Sequence, residues 1–180
     1  FNITIPHKVG ILKYLDKISP ACTEIQSCNC VRIENEKWEG FNTDVTGFTN
    51  SISPLLQPFH KNALIFGTGG ASKAVEYSLK QLGIAYQMVS RTTTHGYLTY
   101  SDLSQDIINS HHLLINTTPL GMYPNVNECL PIPYQYITPK HLAYDLTYNP
   151  EETLFLKKAR EKGAATKNGR EMLIIQAEES

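Results

Sequence analysis

A chain of 180 residues, 41% hydrophobic and 18% charged, has the composition of one folded domain, or of one domain with part of a second. A net charge of −1 gives no electrostatic basis for holding nucleic acid or an acidic membrane surface. No apolar run approaches the ~20 residues of a membrane span, and no N-terminal stretch has the pattern of a signal peptide. The chain opens at Phe1 without an initiator methionine and enters a motif-like segment at once, so further residues are expected upstream. Its cysteines (Cys22, Cys28, Cys30 and Cys129) form no C-x-x-C pair, and no histidines have zinc-like spacing. They read as small buried hydrophobes of a reduced, cytoplasmic protein without a metal, with Cys28 and Cys30 expected on one face of a strand.

In chain order, residues 9–18 have helical spacing, 27–33 read as a strand and 35–40 as a turn-rich connection. The apolar run Ala63-Leu64-Ile65-Phe66 predicts a buried strand, followed by the turn Gly67-Thr68-Gly69-Gly70. Ala71, Ala74, Val75, Leu79 and Leu82 then recur at helical spacing, and Gly83 stops that helix. Further strands are predicted over 85–89, 113–115 and 142–146, and helices over 103–108, 151–162 and 168–180. Strands alternating with helices predict an α/β fold: a Rossmann-like parallel sheet with helices on both faces. Neither end of the chain belongs naturally to that sheet. Residues 1–45 are therefore assigned to an incomplete α/β substrate-binding domain, 46–164 to the nucleotide-binding domain, and 165–180 to a helix returning to the first.

The turn after the first central strand carries chemistry. Gly67 permits a tight turn, Gly69 lets a pyrophosphate approach the backbone, and the small Ser72 allows helix and strand to pack. The helix beginning near Gly70 and Ala71 offers free N–H groups and a positive dipole end to phosphate. At the end of the next strand, an NAD enzyme usually places a carboxylate on the ribose hydroxyls. This chain places Ser90-Arg91-Thr92 there, with no carboxylate between Glu76 and Asp102. An arginine beside hydroxyls suits a 2′-phosphate, so the cofactor is read as NADP.

Six segments in order, Asn2-Ile3-Thr4-Ile5-Pro6-His7-Lys8, Asn42-Thr43-Asp44, the glycine turn, Asn116-Thr117-Thr118-Pro119-Leu120-Gly121-Met122, Asp145-Leu146-Thr147-Tyr148-Asn149-Pro150 and Asn168-Gly169-Arg170-Glu171-Met172-Leu173-Ile174-Ile175-Gln176, closely resemble the shikimate dehydrogenase family. Taken singly, Lys8 reads as a solvated lysine, Asp44 as a cap and Tyr148 as turn packing; the joint pattern reverses this. The resemblance implies that Lys8 and Asp44 are catalytic, and that Thr4, Asn29, Tyr148 and Gln176 contact substrate. It likewise implies that Gly67, Gly69, Gly70, Ala71, Ser90, Arg91, Thr92 and Gly169 serve NADP. This chain departs from the family in reading Ser27-Cys28-Asn29-Cys30 around the substrate asparagine. It also has Thr94 and His95 where a second basic residue often follows the arginine. The family's Ser-x-Ser motif for the substrate carboxylate has no counterpart here, so the sequence reads as part of a longer protein.

The chemistry agrees with these roles. Hydride reaching a ketone carbon leaves negative charge on oxygen, which a lysine ammonium stabilises and protonates. Neutral polar groups such as Thr4, Asn29, Asn42 and Gln176 suit a polyhydroxylated ring. The expected reaction is NADPH-dependent, reversible reduction of 3-dehydroshikimate to shikimate by a monomer or homodimer acting on small molecules. The alternatives are a quinate/shikimate or aminoshikimate dehydrogenase, or a non-catalytic nucleotide-binding homologue.

Overall fold

The structure, a computed structural model, describes residues 1–4, 6–94 and 96–180, so Ile5 of the first motif and His95 lie outside the described residues. Six strands form one parallel sheet: β4 (Asn62–Phe66), β5 (Ala85–Ser90), β6 (Leu98–Thr99), β7 (Leu113–Asn116), β8 (Leu142–Asp145) and β9 (Ala165–Asn168). Their spatial order is β6-β5-β4-β7-β8-β9. The order therefore reverses between β4 and β7, the crevice where open α/β sheets bind dinucleotides. A smaller sheet of β1 (Lys17–Ile18), β2 (Cys30–Glu34) and β3 (Lys37–Phe41), in the order β1-β3-β2, forms the N-terminal part.

Strand alternation builds the two cores. Ala63, Ile65, Leu113, Ile115, Leu142 and Tyr144 face one side. There they meet Phe48 and Ile52 of α2 (Thr43–Ile52), Val75 and Leu79 of α3 (Gly70–Gln81), and Met172 of α6 (Arg170–Glu178). Leu64, Phe66, Leu114 and Ala143 face the other side. They pack on Ile108 of α4 (Gln105–Ser110) and on Phe155, Leu156 and Ala159 of α5 (Leu154–Arg160). Helices thus cover both faces, as the sequence pattern predicts. Ile3, Cys22, Cys28 and Val31 form a small separate core.

The N-terminal part differs most from expectation. Residues 9–18 form only a short 3-10 helix, Gly10–Tyr14, before β1. Residues 35–40 are not all turn. Asn35 and Glu36 take left-handed φ values of 49° and 61°, closing a two-residue hairpin whose second strand is β3. The strand begins at Cys30, so Cys28 lies in the small core with Val31, whereas the Cys30 thiol faces the Ser180 carbonyl at 3.6 Å. A six-residue helix, α1 (Pro20–Ile25), is capped by Ser19. The division drawn at residues 45 and 46 falls inside α2. The parallel sheet continues past residue 164 through β9, with α6 following it.

Two buried histidines hold the end of the sheet opposite the crevice. His60 Nδ1 accepts the Gln57 N–H at 3.0 Å while Nε2 meets the Lys140 carbonyl at 3.1 Å. His141 Nδ1 accepts the Thr138 N–H at 3.0 Å, and Nε2 meets the Ile108 carbonyl at 3.0 Å. Each ring must be neutral to accept at Nδ1. Burial lowers both below the ordinary value of 6.5. The unfolded chain therefore takes up protons before the folded one does, and stability, full above that value, falls as pH drops beneath it. Melting temperature should fall between pH 7.5 and 5.5. The slope should be shallower in a His60→Asn/His141→Asn variant, which keeps an acceptor but cannot titrate; equal slopes would contradict this origin.

Candidate active site

Two of the clefts among the described residues hold residues that the sequence assigns to a site. The first, about 360 Å³, is walled by the glycine turn after β4, by Ser90 and Arg91 at the end of β5, by the segment from Thr117 to Leu120 after β7, and by Tyr100. Gly67 has φ +102°, and a Cβ there would lie 2.8 Å from Thr117 Oγ1, so this turn tolerates no side chain. Gly69 caps α3 without a side-chain hydrogen bond, and Cβ atoms at Gly69 and Gly70 would meet nothing within 4 Å. The start of α3 is therefore open to an anion, with no side chain capping it. Ser72 is buried, its hydroxyl donating to the Gly69 carbonyl at 2.8 Å, as the small third position of the fingerprint requires. Ala71 continues the first turn of α3. Arg91 and Thr92 are exposed. Ser90 is turned inward and accepts the Thr92 N–H at 3.2 Å, shaping the bend that presents the arginine.

The wall after β7 has a buried polar footing that sequence reading does not single out. Asn116 Oδ1 accepts the Thr118 N–H at 2.9 Å and the Thr118 hydroxyl at 2.7 Å, while its Nδ2 donates to Asp145 Oδ1 at 3.1 Å. Asp145 also accepts the Thr147 N–H at 2.9 Å and the Thr153 hydroxyl at 2.6 Å. Burial pushes its carboxyl above the ordinary range, and these donors offset part of that rise. The two motifs that carry Asn116 and Asp145 thus fix each other and the loop between Thr117 and Leu120.

The second cleft, about 370 Å³, brings together Thr4, Lys8, Asn29 and Gln176 with Asn2 and Ser180. Residues from both chain ends meet here. Lys8 Nζ donates to Asp44 Oδ2 at 2.9 Å, both side chains half-buried. Asp44 stands in the first turn of α2, where a carboxylate is favoured by the helix dipole. Asn29 binds the same turn: its Oδ1 accepts the Thr43 N–H at 2.8 Å and its Nδ2 donates to the Thr43 hydroxyl at 3.1 Å. It therefore caps α2 from outside the helix, the task its own N-cap residue Asn42 leaves undone. Asn42 is buried, donates to the Ser27 carbonyl at 3.0 Å, and does not line the cleft.

Asp44, Gly70, Ala71 and Thr92 adjoin lining residues without lining a cleft themselves, and Tyr148 and Gly169 stand apart. Tyr148 is exposed on the loop after β8 and lines neither cleft. Gly169 also lines neither: a Cβ there would come within 2.6 Å of the Leu146 carbonyl carbon, so its missing side chain is needed for close approach of α6 to the sheet.

No protein-family model matches the chain. The shikimate dehydrogenase (NADP(+)) of Methanococcus aeolicus is 43% identical over 195 residues, an alignment spanning 100% of this chain and 70% of that protein. Among solved structures, a chorismate mutase/shikimate 5-dehydrogenase fusion protein from Clostridium acetobutylicum superposes with TM-score 0.86 at 36% identity, over 98% of this chain and 67% of that one. The shikimate 5-dehydrogenase from Thermus thermophilus, in complex with NADP(H) and shikimate, gives TM-score 0.83 at 30% identity over 97% of this chain and 68% of its own.

Asp145→Ala would leave the Asn116, Thr147 and Thr153 donors without their acceptor. Chemical denaturation should show a loss of about 3 kcal/mol or more, as expected for unpairing a buried network. A loss below about 1 kcal/mol would show that the network is dispensable.

Proposed function

The chain belongs to the shikimate dehydrogenase family, and on that premise we propose that it catalyses the NADPH-dependent, reversible reduction of 3-dehydroshikimate to shikimate, a step toward aromatic amino acids. The observation that carries the reading is the Lys8–Asp44 pair beside a cleft that also holds Thr4, Asn29 and Gln176. NADPH, when bound, supplies the hydride. The open start of α3 and the exposed Arg91 fit its pyrophosphate and 2′-phosphate. Gly67, Gly69, Gly70 and Ala71 form that phosphate seat, with Ser90 and Thr92 setting the arginine.

Lys8 Nζ directs a proton to the substrate oxygen as negative charge develops there, and in oxidation it takes the proton back. Asp44 orients the ammonium and shares the proton. Thr4 and Gln176 hold ring hydroxyls. Asn29 contributes chiefly by fixing the α2 turn that carries Asp44. Tyr148 is assigned to the nicotinamide side of the site. The segment before α2, the first turn of α2 and helix α6 serve the substrate side, and the sheet serves the cofactor. Among the described residues no helix is long and apolar enough to cross a membrane. The cysteines are free, consistent with a reducing compartment. The reading accordingly assigns a cytoplasmic enzyme, monomer or homodimer, acting on small molecules.

Steady-state kinetics on the full-length protein with shikimate and NADP test the assignment. Lys8→Ala should lower kcat by about 10²–10⁴-fold with a smaller change in KM, and retained turnover would remove the mechanism. Arg91→Ala should weaken NADPH by about 1.5–3 kcal/mol more than NADH. Equal losses for the two cofactors would remove the 2′-phosphate contact.

A further inference from the structure

We propose that Tyr100 seats the adenine ring of the cofactor. The inference rests on the dinucleotide reading above and adds a residue that binds NADP and NAD alike. A dinucleotide lays its pyrophosphate over the glycine turn and its adenosine ribose at the end of the next strand, which here is β5. The adenine therefore belongs on the β5 side of Gly67, where Arg91 and Tyr100 line the first cleft. Tyr100 is the one aromatic side chain among that cleft's described lining residues.

Its position is fixed from both sides. It opens a short 3-10 turn, Tyr100–Asp102, closed by a reciprocal cap in which the Thr99 N–H donates to Asp102 Oδ2 at 2.7 Å. Its ring lies 11° from parallel to Phe66, with centroids 6.1 Å apart, and Phe66 is fully buried at the end of β4. The ring is thus a half-buried platform backed by the sheet core. Burial pushes its phenol above the ordinary range, and the charge of Arg91, which lines the same cleft, opposes this. A purine has two π faces, and aromatic rings and guanidinium planes are the groups that stack on them.

Tyr100→Leu keeps apolar volume against Phe66 and removes the ring; Tyr100→Phe keeps the ring. Titrations of NADPH and NADH followed by nicotinamide fluorescence should show Tyr100→Leu weakened about tenfold toward both cofactors, and Tyr100→Phe within about twofold of the unmodified protein. In the unmodified protein, NMR should show through-space contacts from the adenine protons of bound NADP to the Tyr100 ring, a readout independent of how the variants fold. Unchanged affinity in Tyr100→Leu, loss confined to NADPH, or absence of those contacts in the bound complex would overturn the proposal while leaving the cofactor reading intact. Absence of saturable binding of either cofactor to the unmodified protein would instead overturn the cofactor reading, and this proposal with it.

Discussion

The contact between Lys8 Nζ and Asp44 Oδ2 joins segments 36 residues apart, and it exists because α2 presents its first turn to the N-terminal segment. The same turn is gripped by Asn29 through Thr43. Two segments upstream of α2 therefore converge on one helical turn, through an ion pair and through two hydrogen bonds. The helix is held in turn by α6, which it approaches closely at Gly47, where a Cβ would sit 2.6 Å from the Met172 carbonyl. Ser51 adds a buried 2.6 Å hydrogen bond to Tyr144 of β8. Displacing α2 would disturb the lysine's partner, the α2 cap and the sheet face together.

The sheet makes the other half of the site by topology. Reversal of strand order between β4 and β7 opens a crevice, and three strand ends supply its walls. These walls are not loosely hung. Gly67 packs against Thr117, and the Asn116–Asp145 network ties the loop after β7 to the loop after β8. The cost of burying the Asp145 carboxyl is offset in part by three donors, which tie the cleft wall to β8. The residues proposed for substrate and those proposed for cofactor line different clefts, and α6 leads from the end of β9 to Gln176.

Much of this was legible from the residues. The run from Ala63 to Phe66, the glycine turn and the apolar spacing of α3 each follow from one physical rule, and all three agree. The resemblance to the family groups Lys8, Asp44, Thr4, Asn29 and Gln176, and the structure brings them to one turn and one cleft. What escaped reading has identifiable causes. Thr43–Ile52 is rich in threonine, glycine and asparagine, poor helix formers, so α2 owes its helix to packing by Phe48 and Ile52. The strand β9 is polar because it lies at the sheet edge, which hides the alternation of a buried strand. The hairpin turn places a glutamate, Glu36, where glycine is usual, so its second strand was masked. Tyr100 carried no motif; only the folded cleft sets it beside Arg91.

In the proposed mechanism Lys8 and Asp44 form one proton-handling unit. The direct measurement is a double-mutant cycle on kcat for Lys8→Ala, Asp44→Asn and the combined variant, with shikimate and NADP at saturation. Groups sharing one task are not additive, so the double variant should fall no more than about threefold below the worse single. Losses that multiply across the cycle would mean that the two residues act separately, and would contradict the account.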